Sequence, residues 1–172
     1  NGVDTNLFKD NSLDFRKIKE KLSLKKEYLL YVSRIEHPGK NHLNLIKAYE
    51  CLPQSVKNKY DLVLVGSARE NSSIVFDYIK ESKDKNHIKV LGFLENEELP
   101  VIFSNAKLFV FPSFYEGFGI PIVEAMAMKI PTLCASNSSL LEIGKNVSKF
   151  FDEYNPISIK DTILEVLNDE KL

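Results

Sequence analysis

The sequence contains no tryptophan, only two cysteines, and no apolar run near the roughly 18 residues that a membrane-spanning helix requires. Cys51 and Cys134 stand among apolar neighbours and lack the spacing of a metal site, so both are expected to be buried free thiols, which suits a reducing cytosol. No excess of one charge exists either: 23 basic residues face 24 acidic ones, for a net charge of −1. That balance excludes a general attraction to nucleic acid or anionic lipid and confines any anion binding to a local site. His37, His42 and His87 have neither triad nor metal spacing. Neither G-x-G-x-x-G nor G-x-x-x-x-G-K-[ST] occurs, which disfavours a dehydrogenase or a P-loop enzyme. Asn1-Gly2-Val3-Asp4 opens the chain without Met or signal peptide, and the charged run Asn168–Leu172 closes it, so both ends read as cut from a longer protein.

What is present is the composition of one globular domain, 44% hydrophobic and 27% charged, long enough to bury a core. Residues 1–172 read as a single domain, irregular in part over 1–20, with no linker or low-complexity segment from 20 onward. Short apolar runs alternate with segments of helical period. Strands are expected at Tyr28–Ser33, Asp61–Gly66, His87–Leu91, Leu108–Phe111, Thr132–Ala135 and Lys149–Phe151. Helices are expected at Asn41–Leu52, Ser73–Lys83, Asn96–Asn105, Ile120–Lys129, Ser138–Ile143 and Pro156–Asn168. Strands apolar on both faces, each followed by a helix, predict an α/β fold: a Rossmann-like, doubly wound parallel sheet of about six strands with helices on both faces. Ligands of such sheets bind outside the carboxyl ends of the strands, which directs attention to the loops after Ser33, Gly66, Leu91 and Phe111.

The first of these loops, Ser33–Asn41, places Arg34 at a strand end and Lys40 just before a helix start that Asn41 is expected to cap. An Arg that forks onto two phosphate oxygens and a Lys acting as a point charge suit a diphosphate. The same pair also reads, with equal weight, as two solvated cations around a Pro-Gly turn. Gly66 reads as a turn glycine. After the third strand, Phe93 or Leu94 could wall an apolar pocket, although packing over the sheet edge explains them as well. The fourth loop is more informative. Gly117 and Gly119 flank Phe118, Pro121 follows at the helix start, and the amides of Phe118, Gly119 and Ile120 are expected to face outward, toward phosphate oxygens or sugar hydroxyls. Glu116 precedes this turn and Glu124 lies in the first turns of the helix, where either carboxylate could accept two vicinal hydroxyls. The helix dipole accounts for Glu124 alone, but not for two glycines around an exposed phenylalanine beside Glu116.

Arg34, Lys40, the Gly92-Phe93 turn, Ala106–Ser113, the E-x7-E spacing of Glu116 and Glu124, and Ser136–Glu142 occur in the order of a known family. In these residues the chain resembles the C-terminal, donor-binding domain of retaining GT-B glycosyltransferases of family 4, the glycosyl transferases group 1. The resemblance runs nearly end to end, from Asn1-Gly2-Val3-Asp4 and Phe8 to the closing helix. It implies a bacterial hexosyltransferase of polysaccharide biosynthesis, retaining and metal-independent, in keeping with the lack of an Asp-x-Asp motif, with no cofactor and a nucleotide-diphosphate sugar as donor. Glu116 would contact the donor sugar and help stabilise charge at its anomeric carbon, Glu124 would hold ribose hydroxyls, and Arg34 and Lys40 would neutralise the leaving diphosphate. Gly117, Phe118, Gly119, Ile120 and Leu94 would complete the donor site, with catalysis assigned to Glu116, Arg34 and Lys40.

The family's N-terminal domain, which supplies most acceptor contacts, has no counterpart in these residues, so the fragment is expected to bind donor weakly and to transfer no sugar. A glycan or lipid-linked acceptor, a cytoplasmic location and peripheral association of the full-length protein with the inner face of the membrane follow from the resemblance, as does the lack of a nucleic-acid partner. Ser138–Glu142 is similar to the corresponding stretch of bacterial mannosyl- and rhamnosyltransferases, which leans toward a GDP- or dTDP-linked donor and leaves UDP open. Lys129 stands where many members have Gly, a departure expected to alter only the local turn. Two readings compete: a binding or assembly module of the same fold, and an epimerase- or phosphorylase-like enzyme, for which the required extra acid-base pair or pyridoxal-phosphate lysine is not evident.

Overall fold

The structure, a computed structural model, describes Phe8, residues 15–145 and residues 147–169. The expectations for Asn1–Asp4 and for residues 170–172 lie outside the described residues. Six strands form, β1 (Glu27–Val32), β2 (Tyr60–Val65), β3 (Ile88–Gly92), β4 (Leu108–Phe111), β5 (Thr132–Ala135) and β6 (Ser148–Phe151), within two residues of each expected boundary. All pair in parallel, in the order β3-β2-β1-β4-β5-β6. Every residue of β2, β4 and β5 is buried, as helices on both faces demand. The edge strands β3 and β6 are half-exposed along most of their length.

The described helices are α1 (Phe15–Lys21), α2 (His42–Glu50), α3 (Gln54–Lys59), α4 (Ser72–Glu81), α5 (Leu99–Ser104), α6 (Ile120–Ala127), α7 (Ser138–Gly144) and α8 (Pro156–Leu167). Six match expected helices. The fifth begins later than periodicity suggests, because Glu95–Glu98 form a turn in which the Glu98 carboxylate accepts from the Glu95 amide. Neither α1 nor α3 was expected. In α3 only Val56 is apolar, and the helix is held instead by the buried Lys57, which pairs with Asp84 at 2.9 Å and donates to the Glu50 carbonyl. Cys134 is buried as expected, and burial pushes its thiol up to about 12; Cys51, contrary to expectation, is exposed, since it follows α2 as its C-cap.

The core carries an aromatic row through the sheet centre, with Phe103, Phe109, Phe111 and Tyr31 at centroid spacings of 5.3–5.8 Å. Gly66 is needed for close approach rather than for a simple turn. At φ 144° its missing Cβ would fall 1.9 Å from the Ser33 carbonyl oxygen, where the loops after β1 and β2 run side by side. The strand order has one further consequence. The chain winds outward from β1 to β3, then returns to lay β4 against the other side of β1, so the topological switch point lies between β1 and β4.

Candidate functional site

The loops leaving β1 and β4 meet at that switch point, and hydrogen bonds join them. Phe114 N–H donates to the Gly39 carbonyl at 3.1 Å. Tyr31 projects from β1 and donates its hydroxyl to the Lys40 carbonyl at 2.6 Å, with Ser113 Oγ 3.1 Å away. Burial raises the Tyr31 pKa, so the ring keeps its proton and remains a donor. Asn41 has a left-handed backbone, φ 55°, and its side chain does not cap α2 as expected. That conformation turns the amide toward the neighbouring loops instead, where Nδ2 donates to the Pro112 carbonyl at 2.9 Å and the Glu153 carbonyl at 2.8 Å. Asn137 repeats the pattern, donating to the Ser113 carbonyl and to the buried Glu153 carboxylate at 2.7 Å. Ser139 Oγ donates to the Glu116 carbonyl. Four loop ends are thus held in register by amide and hydroxyl groups.

This brace brings Lys40 Nζ to 2.6 Å from Glu116 Oε1 across 76 residues of sequence, with side-chain exposures of only 14% and 13%. A charge-assisted contact so shielded from water is much stronger than a surface pair. Two of the expected site residues therefore touch. Arg34 belongs to the same loop but extends into solvent at 59% side-chain exposure, 3.5 Å from Glu36.

Beside the pair, Gly119 leads into α6 as its N-cap, with φ 79°, and an added Cβ there would lie 2.8 Å from Leu140. A Cβ at Gly117 would meet nothing within 4 Å. Among the described residues, no acceptor is found for the amides of Phe118, Gly119 and Ile120 at this helix start. Phe118 itself is half-buried rather than exposed. Glu124 sits one turn into α6, and burial raises its carboxyl to about 7. Leu94 needs correction as a pocket wall: its side chain is buried in the core, and it is the neighbouring Phe93 that the loop presents, at 68% exposure.

Sequence reasoning missed Tyr31, Asn41 in its bracing role, Asn137 and Glu153. Tyr31 reads as one more strand residue, Asn41 as a helix cap, and Asn137 as an ordinary loop polar residue. Nothing local marks them, because their partners lie 71–112 residues away for Asn41 and 82 residues away for the Tyr31–Ser113 contact. His42 is buried in the same region, and burial lowers its pKa to about 4, so it is neutral near pH 7 and supplies no charge.

Known proteins share both the sequence and the fold. The O-antigen chain mannosyltransferase B of Escherichia coli is 34% identical over 143 residues, covering 83% of this chain and 37% of that protein. The serotype-specific mannosyltransferase WbdA of Escherichia coli is 33% identical over 155 residues, covering 89% of this chain and 19% of that protein. The chain therefore spans well under half the length of these curated relatives. The crystal structure of Anabaena HepE in complex with UDP and glucose superposes with a TM-score of 0.81 at 25% identity, covering 99% of this chain and 47% of that one. The C-terminal domain of the group 1 family protein LpcC from Francisella tularensis shares the fold, with a TM-score of 0.79 at 22% identity, and covers 99% of this chain and 90% of that one. Residues 14–172 match the glycosyl transferases group 1, and the chain belongs to that family, with the fold of the C-terminal half of a GT-B glycosyltransferase.

Proposed function

We propose that this group 1 domain holds the nucleotide-diphosphate sugar of a retaining hexosyltransferase, and that the full-length protein transfers the hexose to a glycan or lipid-linked acceptor through a second domain. The observation that carries this reading is the Lys40–Glu116 pair at the switch point, beside the open amides of the α6 turn. Lys40 supplies positive charge to the diphosphate. Arg34, solvent-exposed and on the same loop, swings onto a second phosphate oxygen. Both cations stabilise the negative charge that grows on the leaving diphosphate as the glycosidic bond breaks, and this is where electrostatic catalysis acts. Glu116 accepts hydroxyls of the sugar and faces the positive charge developing at the anomeric carbon. Phe118, Gly119 and Ile120 amides donate to sugar or β-phosphate oxygens, with Gly117 leaving room for their approach. Glu124 accepts the ribose hydroxyls. No metal and no cofactor enters this scheme.

The mannosyltransferase names of the two Escherichia coli relatives favour mannose as the hexose, whereas the UDP and glucose bound to Anabaena HepE keep a UDP donor in the panel to be tested. Titration calorimetry of the chain with UDP, GDP, dTDP and ADP tests donor binding, and binding of none would favour an assembly module instead. Lys40→Ala should weaken the preferred nucleoside diphosphate by roughly 10-fold or more, as expected for removing a shielded charge from a phosphate contact. Its effect on the matching nucleoside should be small. An equal loss for both would remove Lys40 from the diphosphate.

A further inference from the structure

Glu153 lies outside the two loops that carry the proposed donor contacts, in the turn between β6 and α8, and is only 5% exposed. A buried carboxylate costs free energy unless it accepts hydrogen bonds. Here its acceptors close two bridges. Asn41 and Asn137 each have two amide hydrogens, and each directs one to the loop that leads to Glu116. Asn41 donates to the Pro112 carbonyl at 2.9 Å, and Asn137 to the next carbonyl, that of Ser113, at 3.0 Å. Their second hydrogens both go to Glu153. Asn41 reaches its carbonyl at 2.8 Å, and Asn137 its carboxylate at 2.7 Å. Among the described residues the buried Asn137 Oδ1 has no partner, so the two donated bonds orient that amide. The turn that carries Glu153 is itself fixed: Tyr154 N–H donates to the Asp152 carboxylate at 2.9 Å, and Asp152 N–H to Ser158 Oγ at 3.0 Å.

We propose that Glu153 is a positioning residue of the donor site, acting through Asn137 on the Ser113–Glu116 segment to set where the Glu116 carboxylate meets the donor's sugar. This inference rests on the donor-binding reading above. The two bridges use different parts of Glu153. The Lys40 loop is held by its main-chain carbonyl, which a substitution leaves in place, and by the Tyr31 hydroxyl. The Ser113 carbonyl is held through its side chain. Removing the carboxylate should therefore loosen the sugar end of the site and spare the diphosphate end.

Calorimetry with GDP against GDP-mannose, and UDP against UDP-glucose, reads the gain in affinity that the sugar confers. Glu153→Ala should reduce that gain by roughly 3- to 10-fold, about what one hydrogen bond contributes, and leave the nucleoside diphosphate within about 2-fold of the native chain. Glu153→Gln keeps an acceptor oxygen at the same reach and should retain the gain. Asn137→Ala should reproduce the loss, and adding Glu153→Ala to it should weaken binding no further, because the two side chains act in series. Equal weakening of diphosphate and nucleotide sugar would mean a general loss of structure and would overturn the positioning role. Independent losses in the double variant, a full gain in Glu153→Ala, or a loss in Glu153→Gln as large as in Glu153→Ala would do the same. A native chain that binds the diphosphate but gains nothing from the sugar would also overturn it, while the diphosphate site would stand. Binding of neither pair would remove the donor-binding reading as well. Thermal melts verify folding, and should Glu153→Ala not fold, Asn137→Ala against Glu153→Gln carries the comparison.

Discussion

Gly117 and Gly119 lie two residues apart and differ in what they do. At Gly119 both the positive φ and the Leu140 side chain oppose a Cβ, so Gly119→Ala should cost about 1–3 kcal/mol and lower the melting temperature visibly. At Gly117 neither obstacle exists, and Gly117→Ala should melt within about 0.5 kcal/mol of the native chain. If the space above Gly117 receives the donor, the same substitution should weaken nucleotide-sugar binding, a split that differential scanning fluorimetry and calorimetry on one preparation would reveal. Glu124 makes a second prediction. Its folded carboxyl titrates near 7, above its ordinary 4.5, because burial disfavours the charged form. The folded state therefore holds the proton more tightly than the unfolded state, and this contribution to stability is complete below about pH 4.5 and lost as pH rises to about 7. Glu124→Gln should flatten that part of the pH–stability profile, measured by urea titration between pH 5 and 8. A profile of unchanged slope would mean that Glu124 is ionised throughout.

At the scale of elements, the turn after α6 is informative. Lys129 has φ 57°, its N–H donates to Met126, and the Ile130 N–H donates to Ala125, which is the Schellman pattern of a helix C-terminus. This αL position is the one where the family resemblance leads one to expect Gly, and Lys129 keeps the turn while placing a Cβ where the backbone is strained. Lys129→Gly should stabilise the domain by about 0.5–1 kcal/mol after the entropy of the unfolded glycine is counted, roughly 1–4 °C in melting temperature for a chain of this size. A fall in melting temperature would show that the Lys129 side chain contributes more than its backbone costs. The third helix illustrates the limit of pattern reading. Its sequence, Gln54–Lys59, carries almost no apolar face, and what anchors it is the Lys57–Asp84 pair, both partners buried. Removing one partner of such a pair leaves the other charge uncompensated, which is why this short helix can persist without periodicity.

For the whole molecule, the prediction follows from how much of a transferase is present. The chain spans 37% of the length of the mannosyltransferase B it resembles. On the proposed function, the purified 172-residue chain should bind a nucleoside diphosphate yet transfer no hexose, and a full-length protein should do both; radiolabelled donor incubated with membrane-extracted acceptor would measure this. Transfer by the 172-residue chain alone would mean that one domain holds the complete catalytic apparatus. Among the described residues no helix is long and apolar enough to cross a membrane.

Alternating apolar runs and amphipathic segments were enough to locate the six strands and six of the helices, because burial on both faces leaves a continuous apolar signature and 3.6-residue periodicity marks the rest. The glycines, Pro121 and the two acids of Glu116–Glu124 were equally legible, since backbone conformation and helix starts are local properties. What residue order could not supply is which loops meet. Only the crossing of the chain from β3 back to β4 places the Lys40 loop beside the Glu116 loop, where the Phe114–Gly39 backbone bond and the side chains of Tyr31, Asn41, Asn137 and Ser139, with the Glu153 carboxylate, hold them at hydrogen-bonding distance. The same packing buried Leu94, exposed Phe93 and turned Asn41 away from the helix it was expected to cap. Local chemistry is written in short stretches of sequence. The contact between a cation and a carboxylate 76 residues apart depends on strand order, and strand order is settled by the packing of the whole sheet.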